Sequence, residues 1–250
     1  MPCDCVEIGN AVLYCADNEK ILPFLPIVDT TITDPPYSNT THSNSRTNKY
    51  GAGMRHISFG SFSNTKFLES VELMLNKTMG WVVFTCDYRH AALLFDHPAF
   101  IRLGAWIKTN PMPQISGDRP GQGFETVAIL HSGKIKKEWN RGGGAGVWTT
   151  PAINKALVPT QKPKSLIAHF FDDFTKQGDI VLDPFMGAGT TGVVALQKGR
   201  RFIGIEAKKE HFDIAVKEIR KTYEQFSLLR IGTRFEHKEQ EGTLMPFEIP

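Results

Sequence analysis

A carboxylate, two prolines and an aromatic ring follow one another at Asp34-Pro35-Pro36-Tyr37. They come directly after Ile27-Val28-Asp29-Thr30-Thr31-Ile32-Thr33, a β-branched run that reads as a buried strand. Proline lacks the N–H of a sheet ladder and fixes φ, so the chain leaves the sheet in one stiff shape. What remains is an acid, bare carbonyls and a ring turned towards one pocket. That set can hold a planar, amino-bearing base and accept its N–H groups. Taken alone, the tetrapeptide is equally consistent with an ordinary strand-ending turn.

A second constellation lies far along the chain, at Asp183-Pro184-Phe185-Met186-Gly187-Ala188-Gly189-Thr190-Thr191-Gly192. It reads as strand, glycine turn and helix, with Gly187, Gly189 and Gly192 at G-x-G-x-x-G spacing. Glycine lets the backbone turn tightly and approach a nucleotide closely. Glu206 ends the next strand, where an acid can accept hydrogen bonds from ribose hydroxyls. The spacing alone would admit NAD, and tight helix–strand packing without a ligand is the plain alternative. Asp183 argues against a pyrophosphate, because an acid at the turn repels a phosphate and favours a cationic ligand with an amino-acid tail. S-adenosylmethionine has that character, with a ribose, an ammonium and a sulfonium and no phosphate.

The elements that must position these groups alternate between strands and helices. Residues 6–14 read as a short strand or hairpin, 18–25 as a helical turn and 27–33 as a strand. A helix opens at Asn64 with Phe67, Val71, Met74 and Leu75 on one face. Strands follow at 81–86, 100–108 and 124–131, with a short helix at 89–95. Pro111, Pro113 and Pro120 force an irregular connection between the second and third of these. Residues 140–146 are glycine-rich. A helix begins at Pro163, which needs no N–H at the first helical position, and runs to about residue 176. Asp172 and Asp173 fall outside its apolar stripe and are expected on the surface. Strand 180–182, helix 190–198, strand 202–205 and a last helix over 208–229 complete a pattern of doubly wound, mainly parallel α/β type.

In a 250-residue chain, 41% hydrophobic and 22% charged residues are ordinary for one globular α/β domain. No apolar run is long enough to span a membrane, and the N-terminus lacks a signal-peptide pattern, so a cytoplasmic protein is expected. The four cysteines make no disulfide framework, and no Cys or His pair completes a metal site, so no metal is expected. The net charge of +3 is mild but unevenly spread. Residues 38–58 hold Arg46, Lys49 and Arg55 and no acid, and residues 132–164 hold seven basic residues against one acid, Glu138. Such segments suit a polyanion partner, although solvated loops would look the same.

These motifs together resemble the permuted, β-class amino-methyltransferases of DNA, found as restriction-modification or orphan enzymes. Asp34-Pro35-Pro36-Tyr37 resembles their catalytic motif, and the segment from Asp183 to Thr190 their cofactor motif. Thr160-Gln161-Lys162-Pro163-Lys164-Ser165-Leu166 is similar to the helix start that precedes it. Ala16-Asp17 stands where the family has a Gly-Asp beside the cofactor adenine, with the glycine missing here. The catalytic motif comes first and the cofactor motif last, as in this class.

The resemblance implies one domain over residues 1–230, followed by a tail over 231–250. Its sheet would be a doubly wound, mostly parallel, seven-stranded one of the Rossmann-like methyltransferase kind, with one antiparallel strand. It implies S-adenosylmethionine held by Asp17, Asp34, Lys162, Pro163, Ser165, Asp183, Pro184, Phe185, Gly187, Ala188, Gly189, Thr190 and Glu206. Asp34, Pro35, Pro36 and Tyr37 would act on a flipped adenine at N6, because an acid in the place of Asp34 usually accompanies adenine in that family. Residues 38–58 would form a mobile loop and 132–159 a short target-recognition insertion. Arg46, Lys49, Arg55, Lys136, Lys137 and Arg141 would meet DNA. A homodimer and a cognate restriction enzyme follow by the same analogy. The competing readings are an N4-cytosine or RNA methyltransferase of the same fold, a non-catalytic DNA-binding relative, and an NAD-dependent oxidoreductase.

Overall fold

A computed structural model describes residues 4–38 and 62–232; side chains are described as far as residue 226. Residues 39–58 of the expected loop, with Arg46, Lys49 and Arg55, lie outside the described residues, as does the tail from residue 233.

The strands are β1 (Asp4–Ile8), β2 (Ala11–Cys15), β3 (Thr30–Thr33), β4 (Trp81–Cys86), β5 (Phe100–Lys108), β6 (Phe124–His131), β7 (Val147–Thr150), β8 (Ile180–Asp183) and β9 (Arg201–Glu206). They form one sheet in the order β1-β2-β9-β8-β3-β4-β6-β5-β7. From β2 to β5 this is a seven-stranded sheet in which only β6 is antiparallel to its neighbours. Two further strands widen it: β1 joins as a hairpin on β2, and β7 pairs parallel with β5. The central strands β3 and β4 are buried at every position, which needs helices on both faces and explains their unbroken apolar and threonine runs.

The helices are α1 (Asn18–Ile21), α2 (Asn64–Lys77), α3 (Tyr88–Ala92), α4 (Lys164–Phe174), α5 (Thr190–Gln197) and α6 (Lys209–Gly232). One layer places Leu166, Phe170 and Phe171 of α4, Val193 of α5 and Phe212 and Ile219 of α6 against the sheet. The other packs Phe67, Val71 and Met74 of α2 on Val82, Phe84 and Leu130. Ser63 starts α2 by accepting the Lys66 N–H at 3.2 Å. Gly192 has no room for a side chain: a Cβ there would come within 2.5 Å of Ile219 on α6 and 2.7 Å of Phe202 on β9.

Strand β7 follows the glycine-rich run and carries Trp148, which is fully buried against Phe170. Its indole N–H donates to the Asp173 carboxylate at 2.7 Å. The expectation that Asp172 and Asp173 both face solvent therefore holds only for the first. Asp172 pairs with Lys198 on the surface, whereas Asp173, one helical step further round, is buried beneath β7. The unpredicted strand supplies the partner that makes an acid tolerable there.

Replacing Asp173 by Ala leaves the buried indole N–H without its acceptor and should lower unfolding free energy by about 1–3 kcal/mol. Denaturant melts with unchanged m-value are the check; a change under about 0.5 kcal/mol would show that the bond does not matter.

Candidate active site

Strands β2, β9, β8 and β3 run the same way, so their C-terminal ends open on one side of the sheet. From β8 the chain passes through α5 to β9, on one side; from β3 it reaches β4, on the other. The direction reverses between β8 and β3, where open α/β sheets leave a crevice for ligands. Asp34 follows β3 there, and Asp183 ends β8. A cavity of about 440 Å³ joins them, lined by Asp34, Pro35, Pro36 and Tyr37, by Asp183, Pro184, Phe185, Gly187, Ala188 and Thr190, and by Asp17, Lys162 and Glu206.

One half of the cavity is built around the glycine turn. Gly187 has φ +52, and a Cβ there would meet nothing closer than Val158 at 3.8 Å, so bare backbone faces the cavity. Glu206 accepts the Gly187 N–H at 3.0 Å and the Lys208 N–H at 2.8 Å, which fixes its carboxylate at the rim of the turn. Asp183 accepts the Thr33 hydroxyl at 2.5 Å and the Phe185 N–H at 3.1 Å. Burial pushes its carboxyl up to about 6, against the pull of those donors. Asp17 accepts the Glu19 N–H at 3.3 Å and starts α1. A glycine cradle walled by three acids suits a nucleoside with a cationic amino-acid tail and disfavours a pyrophosphate. The residues present thus fit S-adenosylmethionine.

The other half is a chain of charges. Lys162 Nζ lies 2.7 Å from Asp34 Oδ2, and the Thr85 hydroxyl donates to Asp34 Oδ1. The same ammonium is 3.4 Å from Glu125 Oε2 and 3.3 Å from the Thr160 carbonyl oxygen. Glu125 also accepts the Tyr37 hydroxyl at 2.6 Å and pairs with Lys108 at 2.7 Å. Thr160 holds φ +65, a left-handed conformation unusual for threonine, and this aims its carbonyl at Lys162. Burial raises the Asp34 carboxyl above its usual value, with the Lys162 ammonium working against it. For Glu125 burial also works upward, but Lys162 and Lys108 outweigh it and hold the group down at about 2. Desolvation opposes the charge on Lys162, yet Asp34 and Glu125 together raise its pKa, so it stays an ammonium.

Several expected site residues lie elsewhere. Ser165 is exposed, because the first turn of α4 points Leu166 and Ile167 inward and Ser165 to solvent. Pro163 is buried at the N-cap of α4, behind Lys162, and does not line the cavity. Gly189 (φ +78) does not itself line the cavity, and helix packing alone already requires glycine there: a Cβ would lie 2.9 Å from Ala215 on α6. Lys136 and Lys137 do not reach the cavity. Strand β6 runs against its neighbours, so the segment after it emerges at the opposite end of the sheet. There the Trp81 indole donates to the Glu138 carbonyl at 2.8 Å, and Lys134 caps the carbonyls of Leu75 and Asn76 at the end of α2. Arg141 folds back to the Val147 carbonyl at 3.4 Å and to Asp173 at 3.5 Å.

Conversely, the sequence did not single out Thr85, Lys108 or Glu125. Lys108 and Glu125 flank the proline- and glycine-rich connection between β5 and β6, and the antiparallel register sets Trp106 opposite Glu125 and Ile107 opposite Phe124. Opposite charges at the two ends of such a hairpin were the available signal.

Residues 28–217 match the family model described as DNA methylase. The chain is 31% identical over 251 residues to the type II methyltransferase M2.LlaDCHI of Lactococcus lactis subsp. cremoris, covering 86% of this chain and 91% of that protein. It is 28% identical over 245 residues to M.HinfI of Haemophilus influenzae, covering 82% and 66%. Among solved structures, the M1.HpyAVI–SAM complex superposes with a TM-score of 0.62 at 29% identity, over 85% of this chain and 100% of that one. The cytosine-N4-specific PvuII DNA methyltransferase shares the fold, with a TM-score of 0.64 at 17% identity over 87% and 93%. The chain belongs to the DNA methylase family. It is an S-adenosylmethionine-dependent amino-methyltransferase of DNA.

A protonated Asp183 loses its attraction for a cationic ligand, so S-adenosylmethionine affinity should be full only well above pH 6. It should weaken as pH falls through about 6, the value to which burial lifts this carboxyl. Calorimetric titrations between pH 5 and 8 are the check, with Asp183→Asn expected to flatten the profile. A flat profile in the unaltered protein would exclude this role.

Proposed function

We propose that the enzyme methylates the N6 amine of adenine in DNA, with Asp34 as the acceptor for that amine. The observation that carries this is the half-buried Asp34 carboxylate in one cavity with the Gly187 turn. Bound S-adenosylmethionine supplies an electrophilic methyl group on a sulfonium. An exocyclic amine is a poor nucleophile, because its lone pair is delocalised into the ring. The Asp34 carboxylate and the Pro35 carbonyl each accept one of its N–H bonds, which favours a pyramidal nitrogen with its lone pair directed at the methyl. The charged acceptor makes the stronger bond. After transfer the nitrogen carries an extra proton, and a carboxyl raised by burial is suited to take it. The base has to leave the duplex to reach this depth. Tyr37, held through its hydroxyl by Glu125, offers a ring for it to stack on, and Pro36 keeps the turn rigid. Glu206 and Asp17 are placed to accept hydroxyl and amine hydrogens of the cofactor, and Phe185 to cover its apolar part.

An N4-cytosine substrate is the second reading, because the matching DNA methylase family takes in N4 as well as N6 amines. The type II designation of M2.LlaDCHI and M.HinfI supports a cognate restriction enzyme as functional partner. Bacterial DNA methyltransferase relatives support a cytoplasmic location.

Transfer of labelled methyl groups to unmethylated DNA, followed by hydrolysis to nucleosides, is expected to put the label in N6-methyladenosine of the deoxy series. Label in N4-methylcytosine would overturn the adenine assignment. Asp34→Ala should lose about 10²–10³-fold or more in transfer rate while binding cofactor nearly as well. Near-normal turnover in that variant would remove Asp34 from its role.

A further inference from the structure

The Asp34 carboxylate is already engaged before any base arrives. Lys162 Nζ occupies Oδ2 at 2.7 Å, and the Thr85 hydroxyl occupies Oδ1. An ammonium at that distance works against the chemistry in two ways. It draws down the hydrogen-bond basicity of the oxygen that the amine needs. It also sets a positive charge beside a nitrogen that becomes positive as it accepts a methyl group, in a site where burial strengthens charge–charge effects. Removing lysine from the site would relieve this but would leave the half-buried Asp34 without a counter-charge in the empty enzyme.

Glu125 resolves the conflict. Its Oε2 is only 3.4 Å from the same Nζ, close enough for a small shift of one flexible side chain to exchange one carboxylate for the other. The Thr160 carbonyl, 3.3 Å from Nζ, gives the ammonium a third acceptor. Glu125 does not move in response: Lys108 at 2.7 Å and the Tyr37 hydroxyl at 2.6 Å pin it from β5 and from the catalytic turn. We propose that Glu125 is a positioning residue for methyl transfer, drawing the Lys162 ammonium off Asp34 as the base amine enters, so that the amine meets an uncompensated carboxylate. In the empty site Lys162 neutralises Asp34; in the loaded site it neutralises Glu125. The inference rests on the assignment of Asp34 as amine acceptor and is independent of which base carries the amine.

The test uses the full chain, single-turnover transfer of labelled methyl into DNA counted in whichever base is modified, and DNA affinity without cofactor. Glu125→Gln leaves Lys162 fixed on Asp34 and is expected to slow transfer about 100-fold, with S-adenosylmethionine affinity within a few-fold. Glu125→Asp keeps the charge but withdraws it by one methylene, and should fall between the two; it serves if the glutamine variant fails to fold. Adding Lys162→Gln to either variant removes the trapped ammonium and is expected to restore transfer at least about tenfold over that variant alone. A merely structural role predicts the opposite, a further loss. With the modified position mapped, the unaltered enzyme should bind DNA carrying the amine-bearing base more tightly than DNA with its deaminated analogue, and the Glu125 variants should lose that preference. Glu125 variants with full activity, or double variants slower than their parents, would overturn the proposal. If Asp34→Ala is itself active, the assignment of Asp34 fails instead, and the two failures are told apart.

Discussion

The ammonium of Lys162 and the carboxylate of Asp34, 2.7 Å apart and largely closed off from water, set the terms for the rest of the site. Two charges brought out of water gain little net stability from each other, and removing one strands the other at a cost of several kcal/mol. A pair of this kind is therefore weak evidence for stability and better evidence for a task. Its surroundings fit that view. Thr160 is held in a left-handed conformation to face Lys162, and Glu125 stays ionised because Lys162 and Lys108 outweigh its burial. Asp34 follows β3, Lys108 ends β5, Glu125 lies at the start of β6 and Lys162 precedes α4. The sheet's function is to bring them within hydrogen-bond reach.

Chain topology does the rest. With β8 and β3 adjacent and their onward connections leaving in opposite directions, a crevice opens between the catalytic turn and the glycine turn without further expense. The acids on the glycine side favour a cation with a ribose, and the acid on the catalytic side favours an amine. Asp183 and Asp34 are close enough for the charge of one to raise the other, so the methyl donor and the methyl acceptor approach a common negative field.

Much of this was legible in the residues. The proline pair ended β3 where expected, and the β8-turn-α5-β9 unit held its acid at Glu206 against Gly187. Apolar stripes marked α2 and α4 because each buries one face only. The sequence was silent where a structure depends on partners distant along the chain. β7 is four residues long, half exposed, and defined by its pairing with β5, so Asp173 looked like a surface acid until Trp148 was placed over it. Gly189 fitted a cofactor pattern, and its tight contact with Ala215 adds a packing reason that spacing could not reveal. Lys136 and Lys137 looked like DNA contacts because charge is visible in a sequence and strand polarity is not: the antiparallel course of β6 carries them to the end of the sheet away from the cavity. Glu125 and Lys108 went unnoticed for the converse reason, since each is an unremarkable charge until register sets them together.

The most direct test of the account is a crystal structure of the enzyme with S-adenosylhomocysteine and duplex DNA containing the modified site. The account expects an unpaired base in the cavity with its exocyclic nitrogen about 3 Å from both the Asp34 carboxylate and the Pro35 carbonyl oxygen, in line with the cofactor sulfur. A target base held away from Asp34, or one whose amine faces other acceptors while Lys162 stays on Asp34 Oδ2, would contradict it.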